Sequence, residues 1–289
     1  TDETGVPTTG ELIRYSFPLG ITDIVNTLHT SLDLWLITML FPLESIAHYK
    51  AGAWQIPIIT TVAYSVGAVY LPRFAKWHKD GEPRSALDTW RENIHKVSLI
   101  VVPTTLVFIV GAEEFCAMVY PDTYGPAAGV FRAYCFLTLG RVAAFGSLIL
   151  AAGRPKLVLK AAAFTLLSNA LISVPLLFTI GFYGPAIGTA LAFVPTIYFY
   201  CKCIAQAWGV PITGTFPLWG YLRVILVAAP GCAVATALKL GVDLDHRVLF
   251  VLQALAILLG YAVVGTLTRI ITPGDWRFAF DWMRLRVMR

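Results

Sequence analysis

The stretch PKLVLKAAAFTLLSNALISVPLLFTIGFYGPAIGTALAFVPTIYFYCKCIAQAW (residues 155–208) decides the fold class. Its only charged residues are Lys156, Lys160 and Lys202. The tetrapeptide GFYG (181–184) divides it into two apolar runs, each near the roughly 20 residues that a helix needs to cross the hydrocarbon core. Neither run alternates apolar and polar residues, which sets a β-barrel aside. Backbone in lipid must then satisfy its own hydrogen bonds as helix. Six more apolar blocks lie outward of this stretch, at 12–41, 51–74, 97–119, 127–152, 219–240 and 248–271. With 157–180 and 185–208 they give an all-α polytopic membrane protein of eight transmembrane helices.

Composition agrees. Of 289 residues 57% are hydrophobic and 13% charged, about half the charged share of an average soluble domain. So few charges cannot coat a water-facing surface. Disorder is excluded by 17 Phe, 8 Trp and 12 Tyr. Cys116, Cys135, Cys201, Cys203 and Cys232 are scattered through apolar blocks and read as packing residues. Cys201 and Cys203 form a CxC beside Lys202, but no His or second Cys pair accompanies them, so no metal site is expected. No Gly-rich run ends in Lys-Ser or Lys-Thr, and no Ser or Cys nucleophile has a nearby base. Neither an enzyme, a cofactor nor a nucleic-acid partner is expected. The chain opens Thr-Asp-Glu rather than with Met, which suggests a piece of a longer protein.

Cation placement sets the orientation. With the N-terminus in the cytoplasm, 17 of the 22 Lys and Arg fall on inner segments. Lys50, Lys239 and Arg247 fall outside, and Arg132 and Arg141 within a span. Both termini are expected in the cytoplasm. Two segments read as interfacial amphipathic helices. The first carries Leu87, Trp90, Ile94 and Val97 at helical spacing, for which a solvated extension of the next span is an equal alternative. The second, at 273–289, carries Trp276, Phe280, Met283 and Val287 flanked by Arg277, Arg284 and Arg286. Prolines 18, 57, 103, 175, 195 and 230 punctuate the spans, which adds weak support for transport.

Polar residues inside the blocks carry the functional signal. At 100° per residue, Ser16, Asp23, Asn26, Thr27, Thr30 and Asp33 fall within an arc of about 120° on the first span. Directing two carboxylates at lipid costs several kcal/mol each, so the stripe is expected to face a cavity; fixed ion pairs are the competing reading. His29 lies off the stripe and reads as a packing residue. The fourth span holds Arg132 and Arg141 on opposite faces. Counting from span midpoints puts Arg141 at the depth of Asp23 and Arg132 at that of Asp33. Asp23 is thus the expected resting partner of Arg141, while Arg132 is close enough to the outer boundary to snorkel. Lys160, Ser168, Asn169 and Ser173 could extend a polar cavity or cross-bond helices; Glu113 and Glu114 read as boundary charges.

Several landmarks then occur in a telling order: LIRYSFPLG (12–20), VYLPRFAKWHKDGE (69–82), GAEEF (111–115), FRAYCFLTLGRVAAFGSLILAAGRPKLVLK (131–160) and GFYGPAIGTALAF (181–193). Together they resemble the C-terminal half of a bacterial polysaccharide or oligosaccharide flippase, in the superfamily of multidrug extruders and lipid II flippases. The resemblance implies a two-lobed alternating-access transporter of lipid-linked sugars in the bacterial inner membrane. Residues 12–208 would be the six-helix second lobe and 209–272 two additional helices, with the N-terminal lobe missing. It further implies a polyprenyl-diphosphate-linked substrate, membrane lipids, and glycosyltransferase or polymerase partners. Arg141 is the residue most like a family cavity arginine, and Arg132 follows with less support. Asn26 and Thr30 would line the cavity, and Asp23 and Asp33 would serve ion coupling or ion pairing. A multidrug or organic-cation extruder is the first alternative, disfavoured because a cavity arginine repels cations in low dielectric. A membrane-embedded glycosyl or acyl transferase is the second, and the short ordinary loops offer it no active site. A helical anchor without a transport role is the third, against which the polar stripe weighs.

Overall fold

A computed structural model describes residues 8–242 and 244–275, apart from the side chains of residues 57–60. The helix α1, Thr9–Leu40, begins with a capping box: Thr8 Oγ1 accepts from the Glu11 amide, and Glu11 Oε2 accepts from the Thr8 amide. A short helix α2 (Leu43–Gly52) leads to α3 (Pro57–Lys79), and then to α4 (Pro83–Val110) and α5 (Ala112–Val119). The rest of the chain forms α6 (Ala127–Gly140), α7 (Phe145–Ala151), α8 (Pro155–Ile180), α9 (Gly184–Trp208), α10 (Leu218–Gly241) and α11 (His246–Leu267). No strand occurs among the described residues.

Five stretches among the described residues are long and apolar enough to cross a membrane: Pro83–Val110, Ala127–Ala151, Pro155–Trp208, Leu218–Gly241 and His246–Leu267. The longest holds both α8 and α9, folded back on each other at the three-residue turn Gly181–Tyr183. Gly181 sits there at φ 74°, a backbone region that a side chain would strain. The two helices then pack so closely that a Cβ on Gly188 would lie 2.3 Å from Ser173 Oγ. The last pair packs in the same way: a Cβ on Gly260 would lie 2.9 Å from the Gly231 Cα.

Around this hairpin, α1 lies against α8, α6 against α9, and α3 against α4 and α7. The pair α10–α11 rests on α4, with α11 also touching α5. Phe108, Phe115, Phe131 and Phe250 bring rings from α4, α5, α6 and α11 together there. At the C-terminal end of α10, Lys239 lies 2.6 Å from Glu113 and 3.0 Å from Glu114, whose side chain is 3% exposed.

One interfacial expectation is overturned. Residues 83–97 continue without a break into α4, and Leu87, Trp90, Ile94 and Val97 are buried in the main core. Trp90 packs edge-on against Phe145 and Phe216, and Arg91 donates to the Gly214 carbonyl. An apolar stripe on a helix looks the same in sequence whether lipid or protein covers it. The amphipathic reading of 276–289 lies outside the described residues.

Candidate functional site

The fourth apolar block is not one helix. It stops at Gly140 and resumes at Phe145, with Arg141 as the C-cap of α6. No proline lies within residues 127–151, so proline does not make this break. Close packing holds its flanks: a Cβ on Gly140 would strike the Phe193 ring at 2.4 Å, and one on Gly67 would strike Ala144 at 2.5 Å. The Arg141 amide reaches back only three residues, to the Thr138 carbonyl. Its guanidinium Nη1 donates to Gln55 Oε1 at 2.6 Å and its Cζ lies 5.9 Å from the Phe193 ring centre.

Two cavities meet at Arg141. One, of about 500 Å³, is bordered by Asn26, Tyr64, Ser147, Thr165, Phe193 and Tyr200. The other, of about 380 Å³, is bordered by Asp33, Gln55, Tyr134 and Thr189. His29, Thr30 and Arg141 border both.

Behind the second cavity lies an oxygen-rich cluster. Asp33 is 2% exposed. Tyr134 donates to its Oδ2 at 2.7 Å, and Thr189 Oγ1 lies 2.8 and 2.7 Å from its two oxygens. Thr189 Oγ1 is also 3.0 Å from Asn169 Oδ1, to which Ser173 donates at 2.5 Å; Ser173 in turn is 3.3 Å from the Pro185 carbonyl. Asn169 Nδ2 points the other way and donates to His29 Nδ1 at 3.2 Å. The hydroxyls of Tyr134, Thr189 and Ser173 carry one proton each. They face the two Asp33 oxygens, Asn169 Oδ1 and the Pro185 carbonyl, and the buried Tyr49 hydroxyl beside Asp33 offers a fourth proton, so donors and acceptors balance. Hard oxygens around one carboxylate can hold a small monovalent cation or one added proton.

The structure separates residues that the sequence grouped. Thr30 borders both cavities and Asn26 the larger one. Asp33 is sealed between helices on one side and borders a cavity on the other, whereas Asp23 is exposed and borders neither. The expected Asp23–Arg141 pair is absent among the described residues, because the break after Gly140 spoils a depth count that assumes one continuous helix. Arg132 is corrected too. It donates to the Ile109 carbonyl at 3.1 Å and to Glu113 at 2.9 Å, on the side of α6 away from both cavities. Glu114, expected at a boundary, is buried. Sequence reading missed Gln55, Tyr134 and Thr189, which have no distinguishing local pattern. It also assigned His29 to packing, although the histidine borders both cavities.

An all-helical membrane protein with an arginine at an interrupted helix, facing polar-lined cavities, belongs to the class of membrane transporters. The family model "Lipid II flippase MurJ" matches residues 22–267, and the chain belongs to that family of membrane flippases. It is 22% identical over 190 residues to the probable low-salt glycan biosynthesis flippase Agl15 of Haloferax volcanii, across 63% of this chain and 39% of that protein. Its fold is similar to a solved lipid II flippase MurJ in an inward closed conformation, with a TM-score of 0.67 and 17% identity, across 89% of this chain and 54% of that one. The chain thus spans 39% of the curated relative and 54% of the solved structure it matches.

Proposed function

We propose that the chain is the second lobe of a two-lobed flippase that moves a polyprenyl-diphosphate-linked oligosaccharide across the bacterial inner membrane. In this reading eight spans cross the bilayer with both termini cytoplasmic. Residues 12–208 form the lobe and 209–272 the additional helices, and a six-helix N-terminal lobe closes the cavity from the other side. The observation that carries the proposal is Arg141, a cation placed at a helix break among hydroxyls, amides and rings. Among the described residues only Nη1 of its guanidinium makes a hydrogen bond, to Gln55, so the remaining donors suit a bidentate grip on phosphate oxygens. The Asp33 cluster takes up the coupling ion in the same reading, a monovalent cation or a proton. No covalent bond is made or broken. Arg141 also weighs against an organic-cation substrate, since like charges repel strongly where water is scarce.

The test is export of the lipid-linked sugar by cells that depend on this protein, co-producing an N-terminal lobe where needed. Arg141→Ala should abolish export at normal abundance, and Arg141→Lys should keep a partial level because an ammonium offers a point charge without the fork. Export at the wild-type rate by Arg141→Ala would overturn the proposal.

A further inference from the structure

A third cavity, of about 490 Å³, lies at the other end of α1 and α8, apart from Arg141. Arg14 and Tyr15 of α1 border it, as do Arg154, Lys156, Leu157 and Lys160 at the start of α8. Four cations thus face one hollow. No ion pair engages any of them among the described residues. Among the described residues the one carboxylate at its rim, Glu11, accepts from the Thr8 amide in the capping box. All four are exposed, so water screens much of their mutual repulsion, and the hollow they share keeps a positive field that favours an anion. The 26-residue helix α8 aims its N-terminus into the same hollow, and no side chain caps it, so its dipole adds to the positive field.

The surroundings favour an anion carried by a lipid. On the same turns of α1, Leu12, Ile13 and Phe17 are 53%, 61% and 67% exposed. These residues lie on the flanks and back of α1 rather than in the hollow, and in a membrane-spanning chain they put acyl chains beside α1, within reach of an amphiphile whose head sits among the cations. The distribution of Lys and Arg places this end of the helices at the cytoplasmic leaflet, where lipid phosphates lie. We propose that this hollow binds the phosphate head of a membrane lipid at the cytoplasmic surface. The head belongs either to a resident anionic phospholipid or to a polyprenyl diphosphate. The site stands independently of the Arg141 cavity, and its occupancy is measurable without transport.

The experiment is native mass spectrometry of the full chain in non-ionic detergent, titrated separately with phosphatidylglycerol, farnesyl diphosphate and zwitterionic phosphatidylethanolamine. The variant R14Q/R154Q/K156Q/K160Q should bind at least one of the two anionic probes about tenfold or more weaker than wild type, with phosphatidylethanolamine unchanged. The control R73Q/K76Q/K79Q/R84Q removes as many cations from the α3–α4 turn and should bind like wild type. Selective loss of phosphatidylglycerol identifies a resident lipid, and selective loss of the diphosphate a site for substrate-like heads. Should the quadruple variant lose helix content, R154Q/K160Q is measured in its place, and a weakening of about threefold or more is expected. Unchanged binding of both anionic probes, or equal weakening in the α3–α4 control, overturns the proposal.

Discussion

Thr189 is the residue on which the buried cluster turns, because its single hydroxyl serves both Asp33 and Asn169. Thr189→Val keeps the shape and removes the proton. Buried acceptors left without a partner cost about 1–3 kcal/mol, so the variant should melt several degrees lower in detergent, as read by circular dichroism. Asp33→Asn should instead keep the fold while removing the only carboxylate of the cluster. Its expected signature is export that no longer responds to the coupling ion, checked by exchanging sodium for potassium and by varying the proton gradient. Residue-scale legibility was uneven for a physical reason. Arg141 stood out because a cation deep in an apolar block has few innocent explanations. Thr189 did not, since hydroxyls are common in membrane helices and commonly satisfy themselves on a carbonyl one turn back, as Thr22, Thr27 and Thr196 do here.

At the scale of elements, the hairpin α8–α9 depends on contact between backbones. Gly188 leaves no room for a Cβ beside Ser173. Gly188→Val should force the two helices apart and destabilise the protein by about 1–3 kcal/mol or more, seen as a lower melting temperature and faster proteolysis. Gly146→Ala, where a Cβ would meet nothing within 4 Å, is the matched control and should change neither. Block boundaries were readable from the sequence because hydropathy reports length. The interruption at 141–144 was not, because Arg-Val-Ala-Ala contains no residue that breaks a helix; close neighbours in α3 and α9 define its surroundings, and those are known only once the chain is folded. The buried face of α4 was illegible for the same kind of reason.

On the scale of the whole molecule, α10–α11 is attached to the rest through apolar packing and polar contacts, among them Tyr221 of α10 donating to the Leu139 carbonyl of α6. Lys239 holds Glu113 and the buried Glu114 together. Lys239→Met should strand Glu114, and removing one partner of a buried pair typically costs about 3–5 kcal/mol. The partial exposure of Lys239 brings the expectation to the lower end of that range. The readout is the melting temperature, and the double variant Lys239→Met with Glu114→Gln should recover most of the loss. Topology has a separate check. Cysteines introduced at Glu44 and Asp122 should react with an impermeant thiol reagent added outside, and one at Lys79 should stay silent. Strong labelling at Lys79 would reverse the orientation.

The two cavities at Arg141 share a wall made of His29 and Thr30, and a single amide, Asn169, ties that wall to the cluster behind it. A ligand on either side therefore meets the same few atoms. Thermodynamic linkage makes the relation reciprocal: whatever factor a cation at Asp33 applies to the affinity of an anion at Arg141, the anion must apply to the cation. One ratio, measured from either side, would then describe how tightly the two ligands are geared together.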